Sequence, residues 1–142
     1  GDGPASMIVD TSALIAILEG EPGSMRLLSA LATASPAPRM SVASWVEAGI
    51  VADARSARHG ERLDRVIEEL GIEIVPVTVR QGEVARLAYQ RFGRGSGSPA
   101  RLNYGDCFSY ALSTTEGRPL LFVGADFSRT DVASVLHPDD ER

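Results

Sequence analysis

The chain has 142 residues, 44% hydrophobic and 23% charged, with a formal net charge of −5, a length that suits one domain with a sizeable core. It contains no lysine, which excludes a P-loop, a Schiff-base lysine and a lysine phosphate clamp, and its acidity argues against loose nucleic-acid binding over the whole surface. No apolar run approaches the roughly 18 residues of a membrane span, and one cysteine, Cys107, leaves no internal disulfide and points to a reducing cytoplasm.

Residues 1–6, "GDGPAS", read as a vector-derived leader, and no signal-peptide pattern opens the chain. Residues 7–142 read as one domain. "MIVD" (7–10) is a short strand that stops at an acid, and "TSALIAILEG" continues as a helix with Ala13, Leu14, Ile17 and Leu18 on one face. A second helix follows in "EPGSMRLLSALATA", with Met25, Leu28, Leu31 and Ala32 on its stripe, closed by the prolines at 36 and 38.

A short strand near 39–41 passes into a helix over about 43–54, for which Ser41 or Ser44 serves as cap. Ala43, Val46, Ile50, Val51 and Ala54 predict its buried stripe, and Glu47 falls inside it. An amphipathic helix around 61–70 stops at Gly71. "IEIVPV" (72–77) is the third strand, and Thr78 caps a helix to about Phe92. "GRGSGSPAR" (93–101) is a flexible polar loop, "LNYGDCFSYALS" (102–113) a helix, and "PLLFVGAD" (119–126) a fourth strand ending in an acid. The tail 137–142 is expected to fray.

Strands alternating with helices predict an α/β fold, a three-layer α/β/α sandwich around a mainly parallel sheet. Ligands in such sheets sit beyond the carboxyl ends of the strands, where strand order reverses. Asp10 and Asp126 end the first and last strands, while Glu47 and Asp106 lie in the first turns of helices, so all four acids fall at that edge. Bare carboxylates meeting there would repel, and burial would raise their pKa values, unless cations neutralise them. Oxygen-only ligands select a hard ion, Mg²⁺ or Mn²⁺, over zinc.

Ser12, two residues after Asp10, is placed to support that site, and Thr130 and Asp131 either support it or, for Asp131, cap a helix. The bland readings are turn acids at Asp10 and Asp126, a helix-start acid at Asp106, and a Glu47 paired with an arginine at the core edge.

"MIVDTSALIAIL", "SVASWVEAGIV", "LNYGDCFSYALS" and "LLFVGADFSRTDV" occur in the order and spacing of PIN-domain ribonucleases, and the chain most resembles the VapC-type toxins of bacterial toxin–antitoxin pairs. The resemblance implies that Asp10, Glu47, Asp106 and Asp126 form the catalytic, metal-binding set, with Asp10 and Asp106 as direct ligands and Ser12 and Thr130 in support. "GAD" at 124–126 departs from the family's frequent asparagine before the acid, which weakens the case for Asp126. It also implies attack of a metal-activated water on an RNA phosphodiester, in tRNA or ribosomal RNA, leaving a 5′-phosphate and a 3′-hydroxyl. Homodimerisation and silencing by an antitoxin whose C-terminal segment crosses the active-site groove complete the implied picture.

Arg91, Arg94 and Arg101 flank the site loop and either hold RNA backbone or are simply solvated; Tyr104 either stacks a base or packs. Two other classes fit less well. "IVDTS" is similar to the phosphoacceptor turn of aspartate-dependent phosphatases and receiver domains, which need the lysine this chain lacks. A non-catalytic PIN-fold interaction module would have no reason to keep four acids. Cys107, beside an acid that disfavours thiolate, reads as a packed core residue.

Overall fold

A computed structural model describes residues 6–136; residues 1–5, read as part of a leader, and 137–142, expected to fray, lie outside the described residues. Six α-helices, four strands and a terminal 3₁₀ turn alternate along it: β1 (Ile8–Val9), α1 (Thr11–Glu19), α2 (Ser24–Ala32), β2 (Arg39–Ser41), α3 (Val42–Arg55), α4 (Ala57–Glu69), β3 (Glu73–Val75), α5 (Val79–Phe92), α6 (Tyr104–Glu116), β4 (Leu120–Leu121) and the turn Phe127–Arg129. All strand pairings are parallel and the order is β3-β2-β1-β4. The chain walks outward from β1 to β3 and then returns to the other side of β1. The strand order therefore reverses between β1 and β4, and the crevice beyond their carboxyl ends is where an α/β sheet binds ligands.

The strands are short but their alternation builds two cores. Ile8, Val75 and Leu120 face a cluster with Ala85, Ala88, Leu102, Tyr110, Ala111 and Leu112 from the side of α5 and α6. Val9, Met40 and Leu121 face the opposite cluster, with Leu14, Ile17, Leu31, Ala48 and Leu63 from α1 to α4. Successive strand residues point to opposite faces, so two apolar residues in a row commit a strand to burial on both. Helices thus cover both faces of the sheet, as the alternating elements predict. Among the described residues no helix is long and apolar enough to cross a membrane.

Several boundaries differ from the sequence reading, each for a local reason. The helix placed at 61–70 begins at Ala57, because the Ser56 hydroxyl accepts from His59 N at 3.1 Å and caps it earlier. The fourth strand ends at Leu121 rather than at Asp126: beyond the two residues that pair with Ile8 and Val9, Val123 N turns away to donate to Ser12 Oγ at 3.0 Å. Met25 is 74% exposed, and α2 packs through Leu27 and Leu31 instead.

On α3 the expected stripe points outward. Val46, Ile50 and Val51 are exposed, while Ser44, Ala48 and Ala52 are buried, so α3 packs through its small residues. The segment 93–101 is stitched to itself, with Ser96 Oγ donating to Gly93 O, Ser98 N to Ser96 Oγ and Ala100 N to Ser98 Oγ. Ser6, grouped with the leader on sequence, is buried and donates to Ala37 O at 2.6 Å.

Candidate metal centre at the sheet edge

Asp10 is the first residue after β1 and the N-cap of α1. It is only 3% exposed, and both of its oxygens are occupied by donors. Oδ2 accepts from Ser12 N at 3.0 Å and from Ser12 Oγ at 2.6 Å, and Oδ1 accepts from Ser109 Oγ at 2.5 Å. The turn-acid reading is therefore correct as local geometry, yet a cap needs only one carboxylate oxygen. Ser12 in turn accepts from Val123 N, which ties the start of α1 to the exit of β4 across the reversal point.

Asp106 stands in the first turn of α6 within a capping box. Asn103 accepts from Asp106 N at 2.8 Å, and Asp106 Oδ2 accepts from Asn103 N at 3.0 Å. Such a box ordinarily favours the charged carboxylate, but here burial outweighs it. Desolvation, reinforced by the charges of Asp10, Asp126 and Glu47, pushes the Asp106 carboxyl up to about 6. Burial likewise raises Glu47, with the nearby Thr11 hydroxyl pulling the other way and the charge of Asp10 adding to the rise. The charges of Asp10, Asp126 and Glu47 thus all reach Asp106, and that of Asp10 also reaches Glu47.

Glu47 reaches it through Gly105. A Cβ at Gly105 would stand 2.5 Å from Glu47 Oε2 and 2.7 Å from Oε1, so the carboxylate lies directly on the α6 backbone beside Asp106. Among the described residues no arginine forms an ion pair with Glu47, which removes the core-edge pairing. Asp126 is exposed in the turn that follows β4 and caps nothing. Its contribution is the charge felt by Asp106.

Thr130 and Asp131, expected in support, make other contacts. Thr130 Oγ1 donates to Phe127 O at 2.6 Å and accepts from Val132 N, which closes the 3₁₀ turn. Asp131 accepts from Tyr110 OH at 2.6 Å and pairs with Arg91 at 3.3 Å, and among the described residues it caps no helix. Arg91 is thereby engaged, and its guanidinium also sits 4.7 Å from the Phe92 ring centre. Arg94 and Arg101 are exposed at the two ends of the 93–101 segment. Tyr104 is 77% exposed and meets Phe108 edge-on at 5.0 Å.

Cys107 is buried, its thiol pushed up to about 11 by burial and the Asp106 charge, which suits a packed residue and not a nucleophile. The residues that sequence reasoning missed are Ser109, Ser44 and Gly105. Only the spacing 106–109, one turn along the same helix face, hinted at Ser109.

Among the described residues no three His, Cys, Asp or Glu side chains stand at ligand spacing. Asp106 feels the charges of Asp10 and Glu47, and Glu47 that of Asp10, without the three converging on a single point. That donor set, all oxygen and loosely spaced, suits a hard cation that keeps part of its water shell.

The PIN domain family model matches residues 7–133. The chain is 50% identical over 131 residues to Ribonuclease VapC28 of Mycobacterium tuberculosis, covering 92% of this chain and 98% of that protein. It is 48% identical over 130 residues to Ribonuclease VapC of Mycolicibacterium smegmatis, covering 91% and 99%. Among solved structures, the M. tuberculosis VapC20 toxin, described as cleaving the sarcin–ricin loop, superposes with a TM-score of 0.73 at 18% identity over 93% of this chain and 100% of that one. That likeness shows the fold.

Proposed function

The chain belongs to the PIN-domain family, within its VapC ribonucleases, and on that premise we propose that it is a divalent-metal-dependent endoribonuclease toxin. The observation that carries the reading is the electrostatic coupling of Asp106 to Asp10, Asp126 and Glu47 at the β1–β4 reversal point. An acid held near 6 by burial and like charges is poorly placed as a structural residue and well placed to meet a cation. Structural ion-pair networks also shift pKa values, but these groups are acids facing acids.

Asp10, Asp106 and Glu47 hold the ion, with Asp126 at the exposed rim able to approach it. Mg²⁺ is the expected cofactor and Mn²⁺ its substitute, because the donors are all oxygen. When bound, the ion lowers the pKa of a water and balances charge on the phosphodiester undergoing attack. The chain's own work is positional. Ser12 and Ser109 hold the Asp10 carboxylate, the Asn103 capping box holds Asp106, and Gly105 lets Glu47 approach. In this reading the exposed Arg94 and Arg101 take RNA backbone, and the exposed Tyr104 a base. Arg91 is held by Asp131 and contributes less.

The substrate is RNA, in tRNA or ribosomal RNA, cut to a 5′-phosphate and a 3′-hydroxyl. The natural partners are a VapB-type antitoxin and a second copy of the chain, in the cytoplasm. Structural relatives include a toxin–antitoxin complex from Klebsiella pneumoniae, with a TM-score of 0.65 at 20% identity. The exposed Val46, Ile50 and Val51 on α3 give a partner an apolar surface that begins beside Glu47. The test is cleavage of purified tRNA and ribosomal RNA with Mg²⁺, Mn²⁺ or chelator. Cleavage is expected only with metal, and Asp10→Asn is expected to lose about 100-fold or more. A wild-type protein that cuts neither RNA with metal, or an Asp10→Asn protein that cuts equally well, would refute the proposal.

A further inference from the structure

Asp10 is held by more hydroxyls than its helix cap requires. Ser12 satisfies the cap through Oδ2. On the other oxygen, Ser109 Oγ donates at 2.5 Å, and Ser44 Oγ lies 2.9 Å behind it. Ser109 has a single hydroxyl proton and gives it to the carboxylate, so the proton between the two serines must come from Ser44. The chain of donors therefore runs in one direction, from Ser44 on α3 through Ser109 on α6 to Asp10, each bond polarising the next. Ser109 is 0% and Ser44 1% exposed. Two hydroxyls buried this deeply between helices would be replaceable by alanines if packing were their only task, as Ala48 and Ala52 are one and two turns along α3.

We propose that Ser109, backed by Ser44, is a positioning residue that selects the ion at Asp10, an inference that rests on reading Asp10 as a cation ligand. An ionised carboxylate offers about four acceptor positions. Ser12 N and Oγ fill both on Oδ2, and Ser109 fills one on Oδ1. One position remains, so Asp10 can meet a cation through a single oxygen only. Single-oxygen contact suits the small octahedral ions Mg²⁺ and Mn²⁺. It denies Ca²⁺ the two-oxygen grip that this larger ion accepts readily. Without Ser109, Oδ1 gains a free position and the carboxylate loses its second anchor, so it can turn toward a larger ion.

The test is calorimetric titration of metal-free protein with MgCl₂, MnCl₂ and CaCl₂, on wild type, Ser109→Ala and Ser44→Ala, with circular dichroism to establish the metal-free fold. In Ser109→Ala, Mg²⁺ affinity is expected to fall about 10–100-fold. Ca²⁺ affinity should fall less, so the Mg²⁺/Ca²⁺ preference narrows by about tenfold or more. Ser44→Ala, which leaves the direct contact to Asp10 in place, should narrow it in the same direction and by less. An unchanged ratio in a folded Ser109→Ala protein overturns the inference while leaving the metal-site reading intact. If wild type binds none of the three ions, the metal-site reading itself fails. Should Ser109→Ala not fold, Ser44→Ala decides: a narrowed ratio supports the inference and an unchanged ratio overturns it.

Discussion

Asp106 carries two opposed duties, since its backbone position in the capping box stabilises α6 while its burial among acids disfavours its charge. An acid whose pKa is raised on folding binds its proton more tightly in the folded state. Its favourable contribution is complete below the ordinary value of 3.8 and is lost as pH rises through about 6. Asp106→Asn keeps an oxygen for Asn103 N and removes the charge. In chelator at pH 7 it is expected to melt above wild type, and the difference should vanish near pH 4; thermal melts at both values check this. Mg²⁺ should raise the wild-type melting temperature at pH 7 more than that of the variant.

Gly105 offers a second probe at the same scale, because the three atoms nearest to an added Cβ are all at the end of the Glu47 side chain. Gly105→Ala should therefore fold and displace that carboxylate. RNA cleavage should drop about 10–100-fold, the scale of a misplaced catalytic group, with little change in melting temperature.

Among the elements, α6 shows how far local sequence rules reach. "N-x-x-D" before an apolar run is a helix start with a reciprocal cap, and Asn103 with Asp106 forms it. Asn103→Ala is expected to cost about 1 kcal/mol in denaturant unfolding, because Asp106 N loses its acceptor Asn103 Oδ1, while the backbone N–H of residue 103 that holds the Asp106 carboxylate stays. The opposite lesson comes from α3. Its apolar residues at 46, 50 and 51 have helical spacing, yet the buried side is Ser44, Ala48 and Ala52. Periodicity reports that a face exists but cannot say whether the core or a partner covers it. Ile50→Ser should therefore change the stability of the isolated chain by less than about 0.5 kcal/mol, measured by urea unfolding.

Across the whole molecule, four short strands suffice because β1 and β4 are buried on both faces. Leu120 and Leu121 are 0% exposed and face opposite cores. Leu121→Ala is expected to cost about 2–5 kcal/mol, a large part of the total for a domain whose stability is on the order of 5–15 kcal/mol. A clear fall in melting temperature would register it. The same sheet places the acids: Asp10 lies beyond β1, and the strand reversal opens a crevice there. The −5 net charge does not oppose an RNA substrate at that point, provided a cation screens the acids locally while Arg94 and Arg101 face the backbone.

The sequence by itself determined the alternation of strands and helices, the parallel sheet and the helix start at Thr78, and it led to the expectation that Asp10, Glu47, Asp106 and Asp126 fall at one edge. Those features follow from patterns local to a turn or a few residues. Tertiary structure alone decided which acids feel one another, because desolvation and charge depend on neighbours distant in the chain. It turned Asp131 toward Tyr110 and Arg91, made Thr130 a turn residue, and shortened β4 to the length its partner could pair. It also brought Ser44 and Ser109, 65 positions apart, into a single hydrogen bond behind Asp10. A serine inside an apolar helix carries no local signal of what it will face, and only the packing of α3 against α6 assigns it a partner.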